Sequence, residues 1–185
     1  MTTAELARRG LVDHRRSLAA WVAGVAGYIA LIAATFPSIE GSGELDQLIE
    51  DYPEILKNLF GLSEGASITS GPGYLDAELF SFMLPLLVLV QAIGAGARAI
   101  AGEEDAGRLE LVLAYPVRRR EAVLATGAAV AASVALVCAA AGAALLLFDP
   151  VFGLDLALGN VVGAVAGLGA LGLFHGWLAL AVGAA

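Results

Sequence analysis

Arg98-Ala99-Ile100-Ala101-Gly102-Glu103-Glu104-Asp105-Ala106-Gly107-Arg108-Leu109-Glu110-Leu111-Val112-Leu113-Ala114-Tyr115-Pro116-Val117-Arg118-Arg119-Arg120-Glu121 is the one densely charged segment between two long apolar runs. It holds five of the ten basic residues and five of the eighteen acids. Charges at this density do not enter hydrocarbon, so the segment lies in water between membrane spans. Its middle is nonetheless apolar, and Leu109, Val112 and Leu113 share one helical face at i, i+3 and i+4. An apolar face rimmed by charge predicts a docking surface for a soluble partner.

The flanking runs decide the fold class. Residues 18–36, 79–97, 122–148 and 156–185 are each long and almost uncharged, and the mean hydropathy of the chain is +0.82. About 20 apolar residues cross a bilayer as a helix. The chain is therefore read as an all-α, polytopic transmembrane bundle of about four spans, at 18–36, 78–100, 122–148 and 156–185. Residues 1–17 form a basic segment, 37–77 an acidic loop and 101–121 the charged loop.

Charge orients these spans. Four basic residues precede the first span, one lies in 37–77, five lie in the charged loop and none lies in 149–155. The positive-inside rule puts the N-terminus and residues 98–121 in the cytoplasm and the acidic loop outside. That loop has eight acids against Lys57 alone. Such a balance gives no support for a nucleic-acid interface, which wants a basic patch. Within the loop, apolar residues at helical spacing around Pro53 predict two short helices or a kinked one. Gly71-Pro72-Gly73 reads as a turn before the second span, and Asp149-Pro150 as the stop of the third. Thr2 with Glu5 has capping-box spacing, and Arg8, Arg9, Arg15 and Arg16 follow. The segment is either a positive flank or an interfacial elbow helix whose arginines reach the headgroups, and the two readings are compatible.

Motifs for chemistry are few. Gly167-Leu168-Gly169-Ala170-Leu171-Gly172 spells G-x-G-x-x-G, but inside a membrane run it is a packing pattern. Gly163 with Gly167, and Gly172 with Gly176, are G-x-x-x-G pairs that favour close helix packing; Gly24 and Gly27 would also allow it. Lys57 follows Leu56, so there is no P-loop, and an ATPase driving this protein must be another polypeptide. Cys138 is the single cysteine. Glu103, Glu104 and Asp105 invite a metal reading, yet nothing supplies the rest of a coordination sphere. Gln91 and His175 are polar at span depth, as interhelical hydrogen-bond partners or as groups on a transport pathway. No residue set predicts catalysis.

The charged loop resembles that of ABC transporter permease subunits of the type-2 exporter group. There the second span runs into Ala-Gly-Glu-Glu-x-x-Gly-x-Leu-Glu-x-Leu-Leu-x-x-Pro-x-x-Arg. Here the same stretch runs from Ala101 through Gly107, Leu109, Glu110 and Pro116 to Arg119, with Val112 in place of one leucine. The start is similar too: a basic elbow at Arg15-Arg16, a first span, then an acidic loop. The resemblance implies six spans per permease, of which this chain would supply the first four. It implies a cytoplasmic ABC ATP-binding subunit carrying ATP and Mg, no cofactor on this chain, a second permease copy or paralogue, and the cell membrane of a prokaryote. It makes Glu103, Glu104, Gly107, Leu109, Glu110, Val112, Leu113 and Pro116 the ATPase-docking residues. Arg15, Arg16, Arg118, Arg119 and Arg120 become membrane-edge, lipid-facing cations. The alternative is a membrane scaffold or sensor whose loop docks a partner that is not an ATPase.

Overall fold

The computed structural model describes residues 14–40, 53, 69–105 and 119–183. Helix α1 spans Arg15–Thr35 and ends in a 3-10 turn at Phe36–Ser38. A short helix α2, Gly71–Leu75, passes into a π-helical turn at Asp76–Phe80. Then come α3 at Met83–Asp105, α4 at Arg119–Phe152 and α5 at Leu158–Gly183. Among the described residues all regular structure is helical, as hydrocarbon demands of a backbone that must satisfy its own hydrogen bonds. α1, α4 and α5 are each long and apolar enough to cross a bilayer. A fourth crossing results if residues 71–80 and α3, which meet at a bend of 41°, count as one span.

α4 is the central helix: half of its most apolar stretch is buried, against 17% for α1 and 22% for α5. Its buried stripe, Val130, Val134, Val137, Cys138, Ala141 and Leu145, keeps the three- and four-residue steps of one helix face. α1 leans on α4 with Leu18, Val25, Ile29 and Ala33, and has little contact with α3. α3 and α5 form the most extensive pair, and α5 also packs on α4. Outward faces carry Leu31, Val162, Phe174 and Val182, as lipid-facing surfaces should.

Two joints depart from the sequence reading. Gly71-Pro72-Gly73 is the first turn of α2, not a turn ahead of a span. Ser70 is its N-cap, accepting the Gly73 N–H at 3.3 Å, and Pro72 lies where a missing N–H costs nothing. The helix start lies so close to the Leu154 carbonyl that no side chain fits at Gly71. Nor does Asp149-Pro150 end α4, which runs on to Phe152. Pro150 withholds its own N–H and crowds the carbonyl four residues back, yet the two residues after it stay helical; the reversal comes at Gly153, with φ of 66°. The Asp149 carbonyl accepts the N–H groups of Gly153 and Leu154 at 2.9 and 3.2 Å. Its side-chain Oδ1 takes the Leu156 N–H at 3.0 Å. The bend falls at Ser81-Phe82, and Pro85 occupies the first turn of α3.

The glycines sort by position. A methyl group on Gly172 would come within 2.8 Å of Val88 and Val134, and one on Gly176 within 3.0 Å of Val130. One on Gly96 would strike the Gly176 carbonyl. At Gly24, Gly27, Gly163 and Gly167 it would meet nothing within 4 Å. Of the two G-x-x-x-G pairs, only Gly172 with Gly176 makes the close approach. Gly96→Ala should therefore destabilise the bundle by about 1–3 kcal/mol, the usual range for overpacking. Gly163→Ala should be neutral or slightly stabilising, because alanine favours helix and nothing obstructs it. Melting temperatures of the two variants in detergent check the contrast, and equal losses would contradict it.

Candidate functional site

The chain exposes its chemistry at two levels: the charged end of α3 and α4, and one polar contact inside the bundle. α3 is continuous from the bend at Ser81-Phe82 to Asp105. Its 23 residues make a rod of roughly 34 Å at 1.5 Å per residue. The backbones of Glu103 and Glu104 are in its last turn, and those of Arg119 and Arg120 are in the first turn of α4. Gly107, Leu109, Glu110, Val112, Leu113, Pro116 and Arg118 lie outside the described residues. So do residues 1–13 of the basic N-terminal segment and the helices expected within 41–68. Arg15 and Arg16 open α1 and are exposed.

Thr35 and Tyr74 share a hydrogen bond of 2.7 Å, and the Phe36 and Tyr74 rings lie 5.7 Å apart. This contact ties the end of α1 to the bent segment. Arg15, the α3 terminus and the α4 start therefore share the opposite end of the bundle.

The charges at that end run against their own helices. Carboxylates in a last turn and guanidiniums in a first turn each oppose the helix dipole, by about 0.3–1 kcal/mol apiece.

Inside the bundle, Gln91 on α3 is 3% exposed and Ser133 on α4 is 6% exposed. The Gln91 side-chain amide donates to the Ser133 hydroxyl at 3.2 Å, and that hydroxyl donates to the Val130 carbonyl at 2.8 Å. Gln91 Oε1 is buried with no partner. The pair thus holds α3 to α4 by one hydrogen bond and leaves one acceptor unsatisfied.

His175 behaves differently. Its Nδ1 lies 2.9 Å from the Leu171 carbonyl of its own helix, and its ring packs edge-on against Phe174. A tie to another helix comes instead from Trp177, whose Nε1 donates to the Gly127 carbonyl of α4 at 3.2 Å. Sequence reasoning did not find Ser133 or Trp177. A serine in an alanine-rich span gives no sign of its partner, and a tryptophan in an apolar run reads simply as apolar. Among the described residues no three His, Cys, Asp or Glu side chains gather as a metal site.

A family model described as "ABC-2 family transporter protein" matches residues 5–185. No curated protein and no solved structure matches the chain.

The polar pair has an asymmetric signature. Ser133→Ala strands the Gln91 amide as well as its oxygen, which should cost about 1–3 kcal/mol. Gln91→Leu removes the donor and the orphaned acceptor together, so it should be neutral or stabilising. In the double variant the Ser133→Ala penalty should largely vanish. A double-mutant cycle on detergent melting measures this, and additive losses would contradict it.

Proposed function

This chain belongs to the ABC-2 family of transporter proteins, and we propose that it is the permease of an ATP-driven exporter whose stroke enters through residues 101–121. The family identifies it as a membrane transport component of the kind that generally lacks its own ATPase site, and implies an ABC ATP-binding partner. In the finer reading, ATP and Mg belong to that partner. The N-terminus and the charged loop face the cytoplasm of a prokaryotic cell, and Arg15, Arg16, Arg118, Arg119 and Arg120 sit at the lipid headgroups. A second permease copy or paralogue completes the pathway.

The observation that carries this reading is the continuity of α3 from the 41° bend to the acidic turn at Glu103-Glu104-Asp105. A displacement of the loop becomes a displacement of a rod. Because α3 and α5 touch through glycine backbones, they move as one body. α1 rests on α4 and touches α3 little, so the contact that yields is the one between α1 and the α3–α5 pair. Between α3 and α4, Gln91 to Ser133 is one neutral hydrogen bond with a spare acceptor. A contact as slight as that of α1 with α3 can open and close without a large barrier.

The docking face is tested with Leu109→Asp/Val112→Asp. Wild-type full chain, extracted from native membranes in mild detergent, should bring down a P-loop ATPase. The variant should lose about tenfold or more of it, since burying two carboxylates costs well over 1.4 kcal/mol. If neither form retains an ATPase, the coupling reading fails, and a scaffold with another partner takes its place.

A further inference from the structure

At the end of the bundle that carries the bend, an open cleft of about 530 Å³ lies between the bent segment and α5. One face of α5 forms its long wall: Asn160, Ala164, Gly167 and Leu171 follow at steps of four and three. Leu75 of α2 and Leu145 of α4, both almost fully buried, also line it.

Length, section and polarity agree on one kind of occupant. The eleven steps from Asn160 to Leu171 make roughly 16 Å of helix at 1.5 Å per residue. Leu171 stands at the middle of α5, which runs from Leu158 to Gly183. One leaflet of hydrocarbon is half of about 30 Å, so the cleft is as deep as one leaflet and ends near the midplane. Spread over that length, the volume leaves a section of roughly 30 Å². That is too narrow for a helix, which is about 10–12 Å across with its side chains. Polarity is graded along the cleft. The polar side chains of the lining, Asn160 and Asp76, both stand within six residues of the contact between Gly71 and Leu154. Everything deeper is apolar. A void there would forfeit dispersion contacts, and water would need polar partners that the deep part lacks. The residues beside the cleft on α5, Leu158 and Val162, are apolar and exposed, as a surface facing hydrocarbon should be.

We propose that this cleft holds one acyl chain of a membrane phospholipid, laid along α5 with its methyl end near Leu171 and its headgroup beside Asn160. No charge is needed from Asp76, which already interacts within the protein. The site stands whether or not the chain serves an ATPase.

The test uses the full chain, purified in mild detergent and titrated with dioleoylphosphatidylcholine, with bound lipid counted by native mass spectrometry. One lipid per chain should bind saturably. Gly167→Phe should weaken it about tenfold or more at an unchanged melting temperature, because Gly167 lines the cleft and a Cβ there meets no protein atom within 4 Å. Val162→Phe, on the same helix but outside the lining, should leave binding unaltered. Dihexanoylphosphatidylcholine, with the same headgroup and short chains, should compete about tenfold or more weakly. Absence of a saturable lipid, equal losses in the two variants, or equal competition by the short-chain lipid would overturn the proposal. So would a pair of chains that Gly167→Phe separates with the lipid count unchanged, which would give the cleft to a second copy. Should Gly167→Phe fail to fold, the chain-length comparison still decides.

Discussion

The backbone contact between α3 and α5 is the constraint on which the other packing depends. In a bilayer no hydrophobic drive pushes helices together, so association rests on van der Waals contact and on how closely backbones approach. Gly96 meets the Gly176 carbonyl, and Gly172 and Gly176 receive Val88, Val130 and Val134 into the space their missing side chains leave. These contacts fix the separation of α3 from α5 and, through the valines, the seat of α4 against both. α1 is then placed at second hand, along the stripe that it shares with α4.

Two consequences join at the bend. At one end of α3, residues 71–80 turn away by 41° and are pinned by Tyr74 to Thr35 and by Gly71 against Leu154. Leu75, Leu79 and Leu154 are almost fully buried there, so the bent segment is packed in place as firmly as the spans themselves. At the other end α3 leads to the acidic turn. A helix anchored this way has one slight lateral contact, that with α1. Close backbone approach joins α3 to α5, whereas α1 meets α3 at few points. The proposed stroke rests on that difference.

The spans were legible because the bilayer imposes a length and excludes charge, which makes apolar runs unusually informative. What could not be read were the partners. The sequence shows two G-x-x-x-G pairs of equal merit; which one packs depends on the helix that arrives opposite, and α3 arrives opposite Gly172 and Gly176. Proline misled at both joints, because its position within a helix decides what it costs. In a first turn, as at Pro72 and Pro85, it is compatible with helix, and at Pro150 the chain stays helical until Gly153. Gln91 stood out as a polar residue in an apolar run, but Ser133 did not, since a hydroxyl among alanines carries no sign of burial. The cleft was invisible for a simpler reason: its lining comes from residues 72–80, 145 and 156–171, which are far apart in the chain. The charged loop was conspicuous by composition, and its middle lies outside the described residues.

The account turns on α3 and α5 moving together against α1. Distances between spin labels at exposed positions test this directly: Val90 on α3, Phe174 on α5 and Leu31 on α1. They would be measured in the full chain bound to its ATPase, with and without trapped nucleotide. The account predicts that the Val90–Leu31 distribution shifts on trapping while Val90–Phe174 stays fixed. A shift in Val90–Phe174, or no change in either, would contradict it.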